Sequence, residues 1–188
     1  MAETEIAKIE VTYQDPFSLK ALYNMIYWWL KENDYIEAGS TSEQDVEVMY
    51  LENKYVAGHK DYRIWWRCEK EPPESFFKYK LAIDYQGINI RETEIVRNDK
   101  KYKMQIGEIT IKLMGTLVTE HGTGSFDDNW FTKHIKKPFL NRWYYEKIEL
   151  HEDIVYEDVY KLQSAIKEFL ELKQIGKQPD MFFNKKGF

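Results

Sequence analysis

The stretch over residues 76–119 constrains the fold of this chain most, because apolar and polar residues alternate along it. Its first apolar series is Phe77, Tyr79, Leu81, Ile83 and Tyr85. A second series follows at Ile109, Ile111 and Leu113. Alternation with a period of two gives a strand one buried face and one wet face, which is typical of antiparallel sheet.

Two glycines mark places where this alternation changes phase. The apolar positions are odd up to Tyr85 and then even, with Gly87 at the change; Gly107 marks the reverse change. An inserted residue that reverses the facing of a strand is a β-bulge, so we predict bulges near both glycines. Asn98-Asp99 suits a hairpin turn, which predicts that strands over roughly 76–96 and 101–119 pair and bend.

Shorter elements flank this hairpin. Alternating residues predict strands over 9–13, 46–50 and 62–68. Asp15-Pro16 predicts a helix start, with Asp15 as the N-cap. The apolar stripe of that helix is Leu19, Leu22, Tyr23, Ile26, Trp29 and Leu30. Short helices are expected near 127–135 and 138–148, separated at Pro138, before a final amphipathic helix over 153–174.

Composition limits the class of protein. The 188 residues favour one α+β domain over residues 1–176, followed by a flexible tail over 177–188. A net charge of −5 argues against a general nucleic-acid coat. The single cysteine, Cys68, excludes an internal disulfide and a multi-cysteine zinc site. No apolar stretch approaches the length of a membrane span, so a cytoplasmic protein is expected.

The order of elements resembles the helix-grip fold of the START and Bet v 1-like superfamily. It runs strand, helix, a meander of long bent antiparallel strands and a long C-terminal helix, over about residues 6–174. The resemblance implies a bent antiparallel sheet packed around the C-terminal helix, with a cavity between them that often holds an apolar ligand. It covers no signature motif, so it implies no functional residues.

The function that the sequence favours is binding of an apolar or amphipathic small molecule in a cavity between sheet and final helix. The predicted cavity has a volume of at least about 300 Å³. The same side chains can equally fill a solid core. The candidates are Tyr62, Ile64, Trp66, Tyr79, Leu81, Ile83, Ile109, Ile111, Leu113, Val159 and Ile166.

Signatures of catalysis and of cofactor or metal binding are mostly absent from the sequence. The four histidines include no pair at the spacing of a helical metal site. His121, Asp127 and Asp128 can converge on one loop as a base or metal ligands, but helix capping explains the aspartates more simply. We therefore predict no catalytic residue, cofactor or metal, and the sequence favours a binding protein over an enzyme.

The segment over residues 130–145 offers an alternative function. It carries four cations and no acid although the whole chain is acidic, and aromatic residues are interleaved with the cations. Such a segment can dock on an acidic protein, on RNA or on an anionic membrane surface. It can equally close one end of the sheet. The candidate docking residues are Trp130, Lys133, Lys136, Lys137 and Arg142.

Overall fold

The computed structural model describes residues 2–36, 46–72, 77–97, 100–119 and 130–171. These residues form an α+β fold of five strands and two helices. The strands are β1 (Ala2–Tyr13), β2 (Glu47–Lys54), β3 (Lys60–Lys70), β4 (Phe77–Arg97) and β5 (Lys100–Thr119). The helices are α1 (Leu19–Glu32), which follows β1, and α2 (Trp130–Glu171), which follows β5.

The strands form one open antiparallel sheet in the order β1-β5-β4-β3-β2. The long predicted hairpin is confirmed, because β4 pairs with β5 from Phe77 opposite Thr119 to Arg97 opposite Lys100. Its turn residues, Asn98 and Asp99, lie outside the described part of the chain. The register aligns apolar residues of neighbouring strands in rows across one face, such as Trp66, Ile83 and Leu113.

A β-bulge interrupts the β4–β5 ladder between Ile88 and Arg91, where Asn89 and Ile90 of β4 lie opposite the single residue Gly107 of β5. The predicted irregularity near Gly87 and Gly107 is therefore confirmed. The β4–β5 ladder has a single bulge there, which lies close to both glycines, and not a separate bulge at each. Asn89 has a φ of 55° and Gly107 a φ of 152°. The backbone N–H of Asn89 donates to the Asp61 carboxylate at 2.8 Å, so a side chain of β3 supplies a hydrogen-bond partner at the bulge.

Both helices cover the same face of the sheet. Helix α2 packs mainly on β1 and β5, where Val155 and Val159 lie over Gly115. Helix α1 lies over β3 and β4, and the Tyr23 ring meets the Trp66 ring edge-on at 4.4 Å between centroids. The other face carries ion pairs such as Arg67–Asp84 at 2.6 Å. The apolar core is therefore confined to the layer between the sheet and the helices.

The start of α1 differs from the sequence prediction. Its N-cap is Ser18, whose hydroxyl accepts from the N–H of Ala21, and not Asp15. The backbone of Phe17 exchanges two hydrogen bonds with Gln105, of 2.8 and 2.7 Å. That bridge holds residue 17 in an extended conformation, so the helix begins only after it.

The C-terminal part of the chain forms one helix, α2, which continues through Pro138. The prediction of separate short helices before residue 153 is therefore wrong. A proline removes one donor of the helical ladder, while the turns on either side keep theirs. Residues 172–188 lie outside the described part of the chain, and so does the predicted tail over 177–188.

Candidate functional site

The bridge between Phe17 and Gln105 sets the position of α1 relative to the sheet. The Gln105 side chain also accepts from the N–H of Leu19 at 3.0 Å, so backbone and side chain of Gln105 both hold the start of the helix. Phe17 is fully buried below this contact. Because the helix is fixed at this end, its first turns are held at a set distance from strands β2 and β3, and a space remains between them.

That space is a cleft of about 390 Å³, which we call the α1 cleft. Its lining combines aliphatic side chains, tyrosine rings and a few polar groups. The lining residues are Leu19, Lys20, Tyr23, Glu47, Tyr50, Tyr62, Ile64 and Gln105. Three elements supply them together with Gln105 of β5, so the cleft forms only in the folded chain.

Hydrogen bonds fix two polar side chains of the α1 cleft lining. The Tyr23 hydroxyl donates to Oε2 of Glu47 and accepts from Nε1 of Trp66 at 3.0 Å. The Tyr85 ring lies 5.4 Å from the Trp66 ring, and its buried hydroxyl has no hydrogen-bond partner among the described residues. Aromatic packing and two hydrogen bonds thus hold Tyr23 and Glu47 in place from below.

Burial and nearby carboxylates raise the pKa values of two tyrosines around the cleft. Burial raises the pKa of Tyr50 to about 12, with further contributions from the charges of Glu52 and Glu47. Burial and the Glu52 charge also raise the pKa of Tyr62. Both hydroxyls therefore stay neutral at physiological pH, where each can donate and accept hydrogen bonds.

A second pocket of about 450 Å³ adjoins the α1 cleft and shares Tyr62 and Gln105 with it. Its other lining residues are more polar: Gly58, Lys60, Ile90, Arg91 and Glu92. The Lys60 ammonium lies 3.3 Å from Glu52 and 3.4 Å from Glu92, so its charge is already balanced by two carboxylates. The α1 cleft has the larger share of aromatic wall.

A buried polar network lies elsewhere, between α2 and the sheet. The Tyr35 hydroxyl donates to Asp158 at 3.0 Å, and Lys70 lies 3.9 Å from the same carboxylate. Nδ1 of His151 lies 2.5 Å from the Tyr79 hydroxyl. Burial and Asp158 together raise the pKa of Tyr35 well above its usual range. These polar groups bond to one another inside the core, so we interpret the network as one that holds α2 against the sheet.

The predicted ligand-binding residues separate into two groups in the structure. Tyr62 and Ile64 are 6% and 0% exposed and belong to the core cluster, but they also form part of the wall of the α1 cleft. The other nine are at most 2% exposed and belong to the core cluster: Trp66, Tyr79, Leu81, Ile83, Ile109, Ile111, Leu113, Val159 and Ile166. Neither of the two pockets described above lies between the sheet and α2, and ligand binding there stays a prediction.

The other predicted groups fall where side chains are not described. The docking candidates Trp130, Lys133, Lys136, Lys137 and Arg142 belong to α2, but the description of side chains in that helix begins after residue 144. His121, Asp127 and Asp128 also lie outside the described residues. Docking through residues 130–145 therefore stays a prediction.

Sequence reasoning missed Glu47 and the site role of Tyr23. Tyr23 belongs to the predicted apolar stripe of α1, and that stripe was the signal in the sequence that could have indicated its place at the site. Nothing in the sequence around Glu47 indicates that it contacts Tyr23. The two residues belong to different elements, β2 and α1, and come together only when these elements pack in the folded chain. Within the described residues, no group of three or more histidines, cysteines and carboxylates is placed to hold a metal ion.

We expect Cys68 to be unreactive in the folded protein. Burial raises the pKa of its thiol to about 12, and the residue is only 3% exposed. Because the thiolate is the nucleophile, the native protein should react with Ellman's reagent at pH 8 at least about a hundredfold more slowly than the urea-unfolded protein. Rapid stoichiometric labelling of the native protein would contradict this assignment.

The fold and the cleft together define an α+β protein with an open five-stranded antiparallel sheet, two helices on one face and a cleft beside the first helix. Neither helix, within the described residues, has an apolar stretch that could cross a membrane. The expected cytoplasmic location stays a prediction.

Comparison with protein-family models gives no match, and comparison with curated proteins gives none either. Among solved structures, the chain is similar to a protein of unknown function from Staphylococcus aureus. The two share 11% identity over 90% of this chain and 95% of the other, with a TM-score of 0.27. A likeness at this level establishes neither a family nor a function.

Proposed function

We propose that this protein binds a small amphipathic molecule in the α1 cleft. The observation that carries the proposal is a lining that combines apolar surface with a fixed pair of polar groups. Leu19 and the Tyr50 ring supply apolar surface, while Tyr23 and Glu47 supply the polar pair. A ligand with an apolar body and one polar group matches this combination.

The size of the α1 cleft supports the same proposal. Pockets that bind small molecules usually measure about 300–1,000 Å³, are mostly apolar and hold a few well-placed polar groups. The volume of about 390 Å³ is within that range, at its small end. The ligand is therefore expected to be a compact molecule rather than a long acyl chain.

The lining residues favour binding over catalysis. They offer one carboxylate, one lysine, tyrosine hydroxyls and an amide, with no histidine or cysteine among them. The raised pKa values of Tyr50 and Tyr62 make these tyrosines poor bases, because deprotonation is disfavoured. These groups can orient a ligand through hydrogen bonds without transferring a proton to it.

A neutral apolar dye tests this function. We expect Nile red to bind the folded protein saturably. Leu19→Trp should weaken this binding about tenfold, because a loss of about 1.4 kcal/mol of binding free energy lowers the affinity by that factor. Glu32→Trp is the control, because it adds the same side chain at the exposed far end of α1. Dye binding that is absent, or that is equally strong in both variants, would refute the proposal.

The finer assignment to the helix-grip fold is also a proposal. It is supported by the packing of the C-terminal helix on the sheet, where the Leu162, Ile166 and Leu170 side chains of α2 are buried. The second candidate function, docking through residues 130–145, is supported by their four cations in an acidic chain.

A further inference from the structure

Glu47 is the carboxylate of the α1 cleft lining. Its side chain accepts a hydrogen bond from Tyr23, yet no cationic side chain among the described residues pairs with it. Several other carboxylates of the sheet do have such partners: Asp84 lies 2.6 Å from Arg67, and Glu69 lies 3.2 Å from Lys78. Glu47 is also partly buried, at the wall of the α1 cleft. A partly buried carboxylate without a counter-ion favours a cation that arrives with the ligand.

Three tyrosine rings line the same cleft as this carboxylate. The rings of Tyr23, Tyr50 and Tyr62 all line the cleft, and the centroids of Tyr50 and Tyr62 are 6.4 Å apart at 64°. The faces of aromatic rings attract cations, and several rings beside one carboxylate form a common recognition site for organic ammonium groups. The carboxylate and the rings therefore both favour a positively charged ligand.

The carboxylates near Tyr50 agree with this chemistry. The charges of Glu52 and Glu47 both help to raise the pKa of Tyr50, as a negative potential does. Lys20 is the one cation of the cleft lining, and it lies exposed on α1. Its ammonium is on a flexible stem at the solvent side, where it can turn away from a bound cation.

We infer that the α1 cleft takes an amphipathic molecule with a protonated amine, whose ammonium group lies against Glu47. The apolar body of the ligand then contacts Leu19 and the tyrosine rings of the cleft lining. Oε1 of Glu47 is the acceptor for the ammonium, because Oε2 already accepts from Tyr23. This inference rests on the proposed function, since it names the chemical class of the ligand for the same cleft.

Three indole probes of similar shape test the ligand class by calorimetry at pH 7: tryptamine, 3-ethylindole and indole-3-propionate. They differ mainly in charge, which is positive, zero and negative. Tryptamine is expected to bind about tenfold more tightly than 3-ethylindole, because its ammonium group can form a charge-assisted hydrogen bond that 3-ethylindole lacks. Indole-3-propionate is expected to bind most weakly.

Substitution of Glu47 completes the test. In Glu47→Gln the amide oxygen can still accept from Tyr23, so the wall stays in place while the charge is lost. The affinity for tryptamine should fall to that for 3-ethylindole, and the affinity for 3-ethylindole should stay the same. Glu10→Gln is the matched control, because it removes an equal charge from the wet face of β1, where Glu10 faces Lys112.

The outcomes separate the ligand class from the proposed function. Equal affinity for all three probes would overturn the amine assignment and leave binding in the cleft intact. Tightest binding of indole-3-propionate, lost in Lys20→Met, would overturn it in favour of an anionic ligand. If none of the probes binds and Nile red also fails, the proposed function falls, and the amine assignment falls with it.

Discussion

Gly107→Ala is expected to lower the free energy of unfolding by about 3 kcal/mol or more, since backbone strain and overpacking each cost about 1–3 kcal/mol. A Cβ at this position would lie 2.8 Å from the backbone oxygen of Asn89 and 2.9 Å from the Cα of Ile90. The φ of 152° adds strain for any residue with a side chain. Because two of the three closest atoms belong to the backbone, a change of rotamer cannot relieve the contact.

Gly58→Ala is the matched control for this prediction. Gly58 also has a positive φ, of 82°, but no atom lies within 4 Å of the place where its Cβ would be. Its substitution is therefore expected to cost only the left-handed backbone term, about 1–2 kcal/mol. Urea unfolding of both variants measures the difference. Equal destabilisation would show that the bulge does not bring Gly107 against β4 as described.

Gly115→Val is expected to destabilise the protein by about 2–4 kcal/mol, because overpacking in a core costs about 1–3 kcal/mol and occasionally more. A Cβ at Gly115 would lie 2.6 Å from Cγ2 of Val159 and 2.9 Å from Cγ1 of Val155. Valine side chains have few rotamers in a helix, so α2 itself must shift. Gly115 thus sets the distance between α2 and the sheet.

Two further variants make this second prediction specific. Thr116→Val adds no bulk beneath α2, because the neighbouring residue of β5 faces the other side of the sheet, and it should change the stability by less than about 0.5 kcal/mol. Adding Val159→Ala to Gly115→Val should recover part of the loss, since it removes the closest atom. A loss that is unchanged by Val159→Ala would contradict this packing.

The sequence was sufficient for the local features of the fold. Alternation predicted β4 and β5 and their pairing, and the phase changes at Gly87 and Gly107 predicted a bulge. It did not identify Asn89 as the residue with the left-handed backbone, because the Asp61 carboxylate that binds its N–H belongs to another strand. A contact between strands leaves no periodic signal in either of them.

The same limit explains the candidate site. Tyr62 and Ile64 could be predicted as a buried face of β3, but not that a cleft opens beside them. The cleft depends on the bridge between Phe17 and Gln105, whose partners are far apart in the chain. Neither residue has a neighbouring pattern that predicts the bridge. The prediction therefore favoured a cavity under the C-terminal helix, whereas the cleft described here lies beside the first.

Methyl NMR spectroscopy of the isoleucine-, leucine- and valine-labelled protein, titrated with tryptamine, tests the central claim most directly, because it locates the ligand. The methyl signals of Leu19, which lines the α1 cleft, and of Ile64, which is buried in the wall of the cleft, should shift saturably. Those of Leu113, Val159 and Ile166, which lie between the sheet and α2, should stay in place. Shifts confined to the second group, or no saturable shift in either group, would contradict binding in the α1 cleft.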